Sequence, residues 1–212
     1  MRPRWRGRLH TIGFLAFLVA GPILVAHGPG AGDEAALGCY VACMLALFGV
    51  SAVFHQAPFG PRGRRVMRRL DHTTIFLAIA GSYTAVAVLS LSGGARDLVL
   101  ALVWGGAVAG VVLRQARLDL PSWLIALPYV VVGWSALAVV PELGRGMSWP
   151  GFLVLLAGGL AYSAGAVVYA RRRPDPSPAV FGFHEVFHAL TLVGASLQLV
   201  AIAYFALPRA VP

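Results

Sequence analysis

Seven runs of about twenty apolar residues, each closed by a short polar or glycine-proline break, constrain this chain more than any other feature. They cover approximately 11–27, 36–56, 72–92, 97–114, 122–140, 150–170 and 184–206, the fourth being the shortest. A helix of that length crosses the hydrocarbon of a bilayer, and only internally hydrogen-bonded backbone is tolerated there. The breaks are G28-P-G-A-G-D-E34, the arginine-rich stretch 60–70, S92-G-G-A-R-D97, R114-Q-A-R-L-D-L-P121, P141-E-L-G-R-G-M-S-W149 and R171-R-R-P-D-P-S-P178. Glycine and proline supply turns, and charges resist entry into hydrocarbon. The 212 residues are 58% hydrophobic and 12% charged, whereas soluble domains carry about 25% charged residues. One soluble core could not hide so much apolar surface. The expectation is an all-α membrane protein, a single seven-helix transmembrane domain over 1–212 with no repeat.

The net charge of +9 comes entirely from arginine, since the 17 basic residues include no lysine. They stand in short runs between apolar stretches, the pattern of loops facing anionic headgroups rather than a nucleic-acid surface. Counted by side, fourteen fall with the N-terminus: Arg2, Arg4, Arg6 and Arg8, then Arg62, Arg64, Arg65, Arg68 and Arg69, then Arg114 and Arg117, then Arg171, Arg172 and Arg173. Arg96, Arg145 and Arg209 are the three on the other side. The positive-inside rule predicts a cytoplasmic N-terminus and an outer C-terminus, and an even helix count would scramble the partition. The basic start resembles a signal peptide, but the apolar run is long and reaches Gly28 without a small-x-small site. A retained first helix is expected. Cys39 and Cys43, the only cysteines, are expected to pack between helices.

Polar residues in such a chain need partners. His184 and His188 are four apart and share one helix face, and Ser51 and His55 have the same spacing. The topology puts His55, Asp71, His72, His184 and His188 toward the cytoplasmic end of the bundle, with Ser51 one turn deeper. Imidazole suits zinc, and a catalytic zinc takes three protein ligands and leaves a position for water. His55, His184 and His188 supply three nitrogens from two helices. Asp71 is placed to act on the water as general base or acid, and Ser51 to bind water, a substrate carbonyl or Asp71.

Plainer readings compete. Asp71 can cap the third helix or pair with Arg68 or Arg69. His72 opens the third helix beside it, but adjacent helical residues point about 100° apart, so His72 is left out of the site. His10 and His27 read as interfacial histidines at helix ends. H184-E-V-F-H188 also fits the H-E-x-x-H pattern of zinc proteases. Here it opens a membrane helix, and Glu185 points off the histidine face, so the glutamate match is read as coincidence.

S51-A-V-F-H55, then R68-R-L-D-H72 running into I75-F-L-A-I-A-G-S-Y-T84, then F181-G-F-H-E-V-F-H188, resemble the hemolysin III proteins. These form the bacterial branch of the progestin and adipoQ receptor superfamily, which includes the adiponectin receptors. The resemblance covers essentially the whole chain. It implies a seven-helix fold in the bacterial inner membrane with Zn²⁺ near the cytoplasmic face. His55, His184 and His188 match the zinc ligands, and Ser51 and Asp71 match the serine and aspartate beside the metal. Two departures stand out: Ala85 replaces a proline common in bacterial relatives, and Gln198 stands near a further histidine's position.

Three functions remain open from sequence. One is a zinc-dependent hydrolase of a lipid amide or ester, ceramidase-like by resemblance to superfamily members. Another is a non-catalytic, zinc-stabilised sensor or regulator of the membrane. The third, a pore-forming cytolysin, ranks last because no span carries a polar row suited to an aqueous pore. Membrane lipids are the expected partners, nucleic acid is not one, and the oligomeric state is left open.

Overall fold

A computed structural model describes residues 3–116 and 121–210. Arg2 and Arg117 of the arginine count, and with the latter residues 117–120 of the R114–P121 break, lie outside the described residues. The rest is helical: α1 (Arg8–Ala26), α2 (Ala31–Gln56), α3 (Pro61–Ser90), α4 (Gly93–Ala116), α5 (Ser122–Gly133), α6 (Val140–Gly146), α7 (Trp149–Arg171), α8 (Phe183–Ala201) and α9 (Leu207–Ala210). A 3₁₀ turn, Ser135–Val139, joins α5 to α6, and a π turn, Ile202–Ala206, joins α8 to α9. Seven helical stretches are long and apolar enough to cross a membrane, the fifth running Ala126–Gly146 and the seventh Phe183–Ala210. Among the described residues there is no sheet, only an isolated bridge between Ser177 and Phe181.

Two expectations about the breaks are corrected. The stretch 60–70 is not a loop: α3 begins at Pro61, so its first turns carry Arg62, Arg64, Arg65, Arg68 and Arg69. Proline at the first helical position costs nothing there, because that N–H has no helical acceptor. The helix runs 30 residues to Ser90, about 45 Å at 1.5 Å per residue, and so outruns the hydrocarbon. Asp71 and His72 therefore sit well inside α3, which removes Asp71's reading as its N-terminal cap. The fourth span, expected to be the shortest, is α4 with 24 residues and no interruption, and the irregular span is the fifth. α5 ends at Gly133, the chain passes through the 3₁₀ turn, and it restarts as α6 with Pro141 in its first turn, where a missing N–H is tolerated.

In packing, α2 lies between α1 and α3, and α7 lies between α5 and α8. The centre is made of Tyr40, Met44 and Phe48 of α2, Phe76 of α3, and Leu143, Met147 and Ile202, all essentially inaccessible. Val19, Val112, Val131 and Tyr204 face outward and are exposed, as lipid-facing residues must be. Small residues let helices close on one another where no hydrophobic force drives them together in lipid. A Cβ on Gly81 would lie 2.7 Å from the Cys43 Cβ. Cys39 and Cys43 are free and pack at this α2–α3 contact, as expected. Ala85 is fully buried in an uninterrupted α3.

Candidate metal centre

α8 starts where two carboxylates satisfy its first amides. Asp175 Oδ1 accepts from the Phe183 N–H at 2.8 Å, and Glu185 Oε2 accepts from the Gly182 N–H at 2.9 Å. That start sets the phase of the helix, and His184 and His188 then face α2. His55 lies in the last turn of α2. Nε2 of His184 approaches Nε2 of His55 to 3.1 Å, and one nitrogen from each of His55, His184 and His188 lies within 4.8 Å of the others. Two imidazoles alone could share a proton as an N–H···N bond. A third aimed at the same point, in a buried apolar setting, is the arrangement a cation resolves. A tetrahedral zinc with Zn–N of about 2.0–2.1 Å holds its nitrogens about 3.3–3.4 Å apart, close to the observed approach. The three histidines could hold a metal ion.

Ser51 and Asp71 join this group. Ser51 is buried, one turn before His55. Both line the same cavity as the three histidines. His72 also lines it, but its Nδ1 sits 2.7 Å from the Arg68 carbonyl and it is not part of the histidine cluster. The cavity encloses about 270 Å³ and runs from the histidines between α3, α5, α7 and α8. Ile75, Ile79, Val130, Leu155 and Phe187 give it apolar walls. At its far end Tyr162 donates to Gln198 Oε1 at 3.4 Å. Ten residues of α8 separate Gln198 from His188, a rise of about 15 Å.

Glu185 is turned away from the cluster. It is fully buried, and its Oε1 lies 2.6 Å from Nε of Arg6 while Oε2 holds the Gly182 amide. Both oxygens are occupied, so the protease-like spelling does not put a free base beside the histidines. His27 behaves as expected of an exposed helix-end residue, with Nδ1 2.8 Å from the Ile23 carbonyl.

His10 does not. The interfacial reading is overturned: His10 is 2% exposed and stacks on His188 with ring centroids 3.7 Å apart and planes 8° from parallel. The N-terminal segment pulls α1 into place. Arg4 and Trp5 amides donate to the Ala179 and Val180 carbonyls, Arg6 pairs with Glu185, and Gln56 Nε2 donates to Thr11 Oγ1 at 2.7 Å. The available sequence signal was general: an ionisable residue inside an apolar span marks a functional position by default. It was masked by the arginines just before it, which suggested a helix end at the headgroups.

The family described as Haemolysin-III related matches residues 1–199. The chain is 27% identical to Hemolysin-3 of Bacillus cereus over 204 residues, 95% of this chain and 90% of that relative. It is 26% identical to Hemolysin-3 homolog of Bacillus subtilis (strain 168) over 199 residues, 94% of this chain and 89% of the relative. Seven spanning helices make it a multi-pass membrane protein. With a family match along nearly its whole length, this chain belongs to the haemolysin III family.

Proposed function

We propose that this protein is a zinc-dependent hydrolase of lipid amide or ester bonds, ceramidase-like, with its centre toward the cytoplasmic face. The observation that carries the reading is the meeting of three imidazoles with Ser51 and Asp71 at the head of a largely apolar cavity. Zinc held by His55, His184 and His188 would supply Lewis acidity and bring the pKa of a water toward about 7. Asp71 takes the proton from the attacking water and returns it to the leaving nitrogen or oxygen. Ser51 holds the Asp71 carboxyl in position and presents its hydroxyl to the substrate. The apolar walls receive an acyl chain, which fixes the scissile carbonyl beside the histidines by the binding of its remote end.

The test is release of free fatty acid by purified protein in nanodiscs, offered ceramides and glycerophospholipid esters separately. Chelation, His188→Ala and Asp71→Asn should each lower turnover by about 10²- to 10⁴-fold. Turnover that survives all three sinks the reading. The three histidines come from α2 and α8 alone, which favours one other reading, a zinc staple between two helices in a membrane-sensing protein. An inert wild type with a metal-dependent melting temperature would support that staple.

A further inference from the structure

We infer that His10 is a positioning residue, not a ligand, and that its stacked ring sets the orientation in which His188 meets the metal. The inference rests on the zinc reading above. Metal-bound histidines usually have the second ring nitrogen held by a carbonyl or carboxylate, which fixes the ring. Two other helical histidines in this chain hold their rings through the carbonyl four residues back: His27 Nδ1 to Ile23 at 2.8 Å, and His72 Nδ1 to Arg68 at 2.7 Å. His188 does not. Its Nδ1 is buried and bonded to no group among the described residues. One broad face of the ring is covered instead by His10, nearly parallel at 3.7 Å between centroids.

The other neighbours of His188 cannot do this work. His55 and His184 approach it at steep angles, 64° and 56° between planes, as ligands converging on one point do, and Phe187 lies tilted by 59° with its centroid 5.6 Å away. His10 is held from another side by Phe48, edge-on at 5.2 Å and 79°. Both of its own ring nitrogens are buried and bonded to no group among the described residues. His10 also lies outside the cluster whose nitrogens converge. Its face, rather than its nitrogens, is what touches the centre. An imidazole drawn on by a cation becomes electron-poor, and a neutral aromatic face beside it is a favourable partner. α1 thereby shapes the site without supplying a ligand.

The test compares wild type with His10→Phe, which keeps a ring face and loses both nitrogens, and His10→Leu, which fills space without a ring. Zinc affinity is read by chelator competition and imidazole number by X-ray absorption. Melting of the metal-free proteins serves as the folding control. His10→Phe should bind zinc within a few-fold of wild type, and His10→Leu should bind about 10- to 100-fold more weakly. X-ray absorption should count three imidazoles in both wild type and His10→Phe. Four imidazoles in wild type falling to three in His10→Phe would make His10 a ligand and overturn the inference. Equal affinity for Leu and Phe, or a loss in His10→Leu matched by a melting loss of the metal-free protein, would reduce His10 to packing and overturn it too. Wild type that takes up no zinc would instead bring down the metal reading itself.

Discussion

Gly7 shows how narrowly the centre is built at the level of single residues. It has φ of 80°, in the left-handed region, and a Cβ there would lie 2.9 Å from the His55 Cβ. Gly7→Ala therefore meets two penalties: about 1–2 kcal/mol of backbone strain, and a push on a histidine of the candidate metal centre. We expect a lower melting temperature and, beyond it, weaker zinc uptake in chelator competition. A stability loss with unchanged zinc affinity would show that His55 tolerates the displacement. Glu185 and Asp71 make an opposite pair. Glu185→Gln keeps an oxygen for the Gly182 amide and loses the charge facing Arg6. It should lower the melting temperature while leaving lipid turnover within a few-fold of wild type, whereas Asp71→Asn should lower turnover by about 10²- to 10⁴-fold. Loss of turnover in Glu185→Gln, with stability retained, would restore the protease-like assignment.

Among the elements, α3 and the broken fifth span departed from the sequence expectation, and a proline stands at each. At Pro61 the ring stands in the first turn of α3, and at Pro141 in the first turn of α6, after the 3₁₀ turn that interrupts the fifth span. In both places it opens a helix, which a scan for apolar runs does not resolve. The restart brings Gly146, at the end of α6, against Ser90, at the end of α3. A Cβ on Gly146 would lie 1.8 Å from the Ser90 carbonyl oxygen, so no side chain fits without moving a helix. Gly146→Ala should cost about 1–3 kcal/mol. Thermal melting in detergent reads it, and an unchanged melting temperature would show that α6 shifts freely.

For the whole molecule, the cavity and the arginine partition make separate predictions. Gly159 lines the cavity, and a Cβ there meets nothing within 4 Å. Gly159→Leu should fill the space where the acyl chain is proposed to lie, cutting turnover of long-chain substrates by at least about tenfold, a loss of about 1.4 kcal/mol in transition-state binding. Zinc content should be unchanged; turnover at the wild-type rate would move the substrate elsewhere. The arginine partition predicts that a reporter active only outside the cytoplasm works when fused after Arg209 and fails when fused after Arg172. The reverse pattern would invert the protein and place the histidines at the outer face. Arg209 donates to the Arg145 carbonyl at 3.5 Å, and Arg6 pairs with Glu185.

Some of this was legible before any coordinates. The spans follow from hydrophobicity averaged over about twenty residues, and the shared face of His184 and His188 follows from the helical repeat. Both are local properties, carried by neighbours in the chain. Convergence of His55 on that pair was inferred from charge and depth along the bundle, and the observed approach agrees with it. The tertiary structure decided what local patterns cannot carry: that His10 covers the face of His188, that Arg6 removes Glu185 from play, and that Gly7 leaves room for His55. Each joins the N-terminal segment or α1 to a residue of α2 or α8, far beyond the reach of a single helical repeat. Periodicity records which way a residue points on its own helix; only packing records what it meets there.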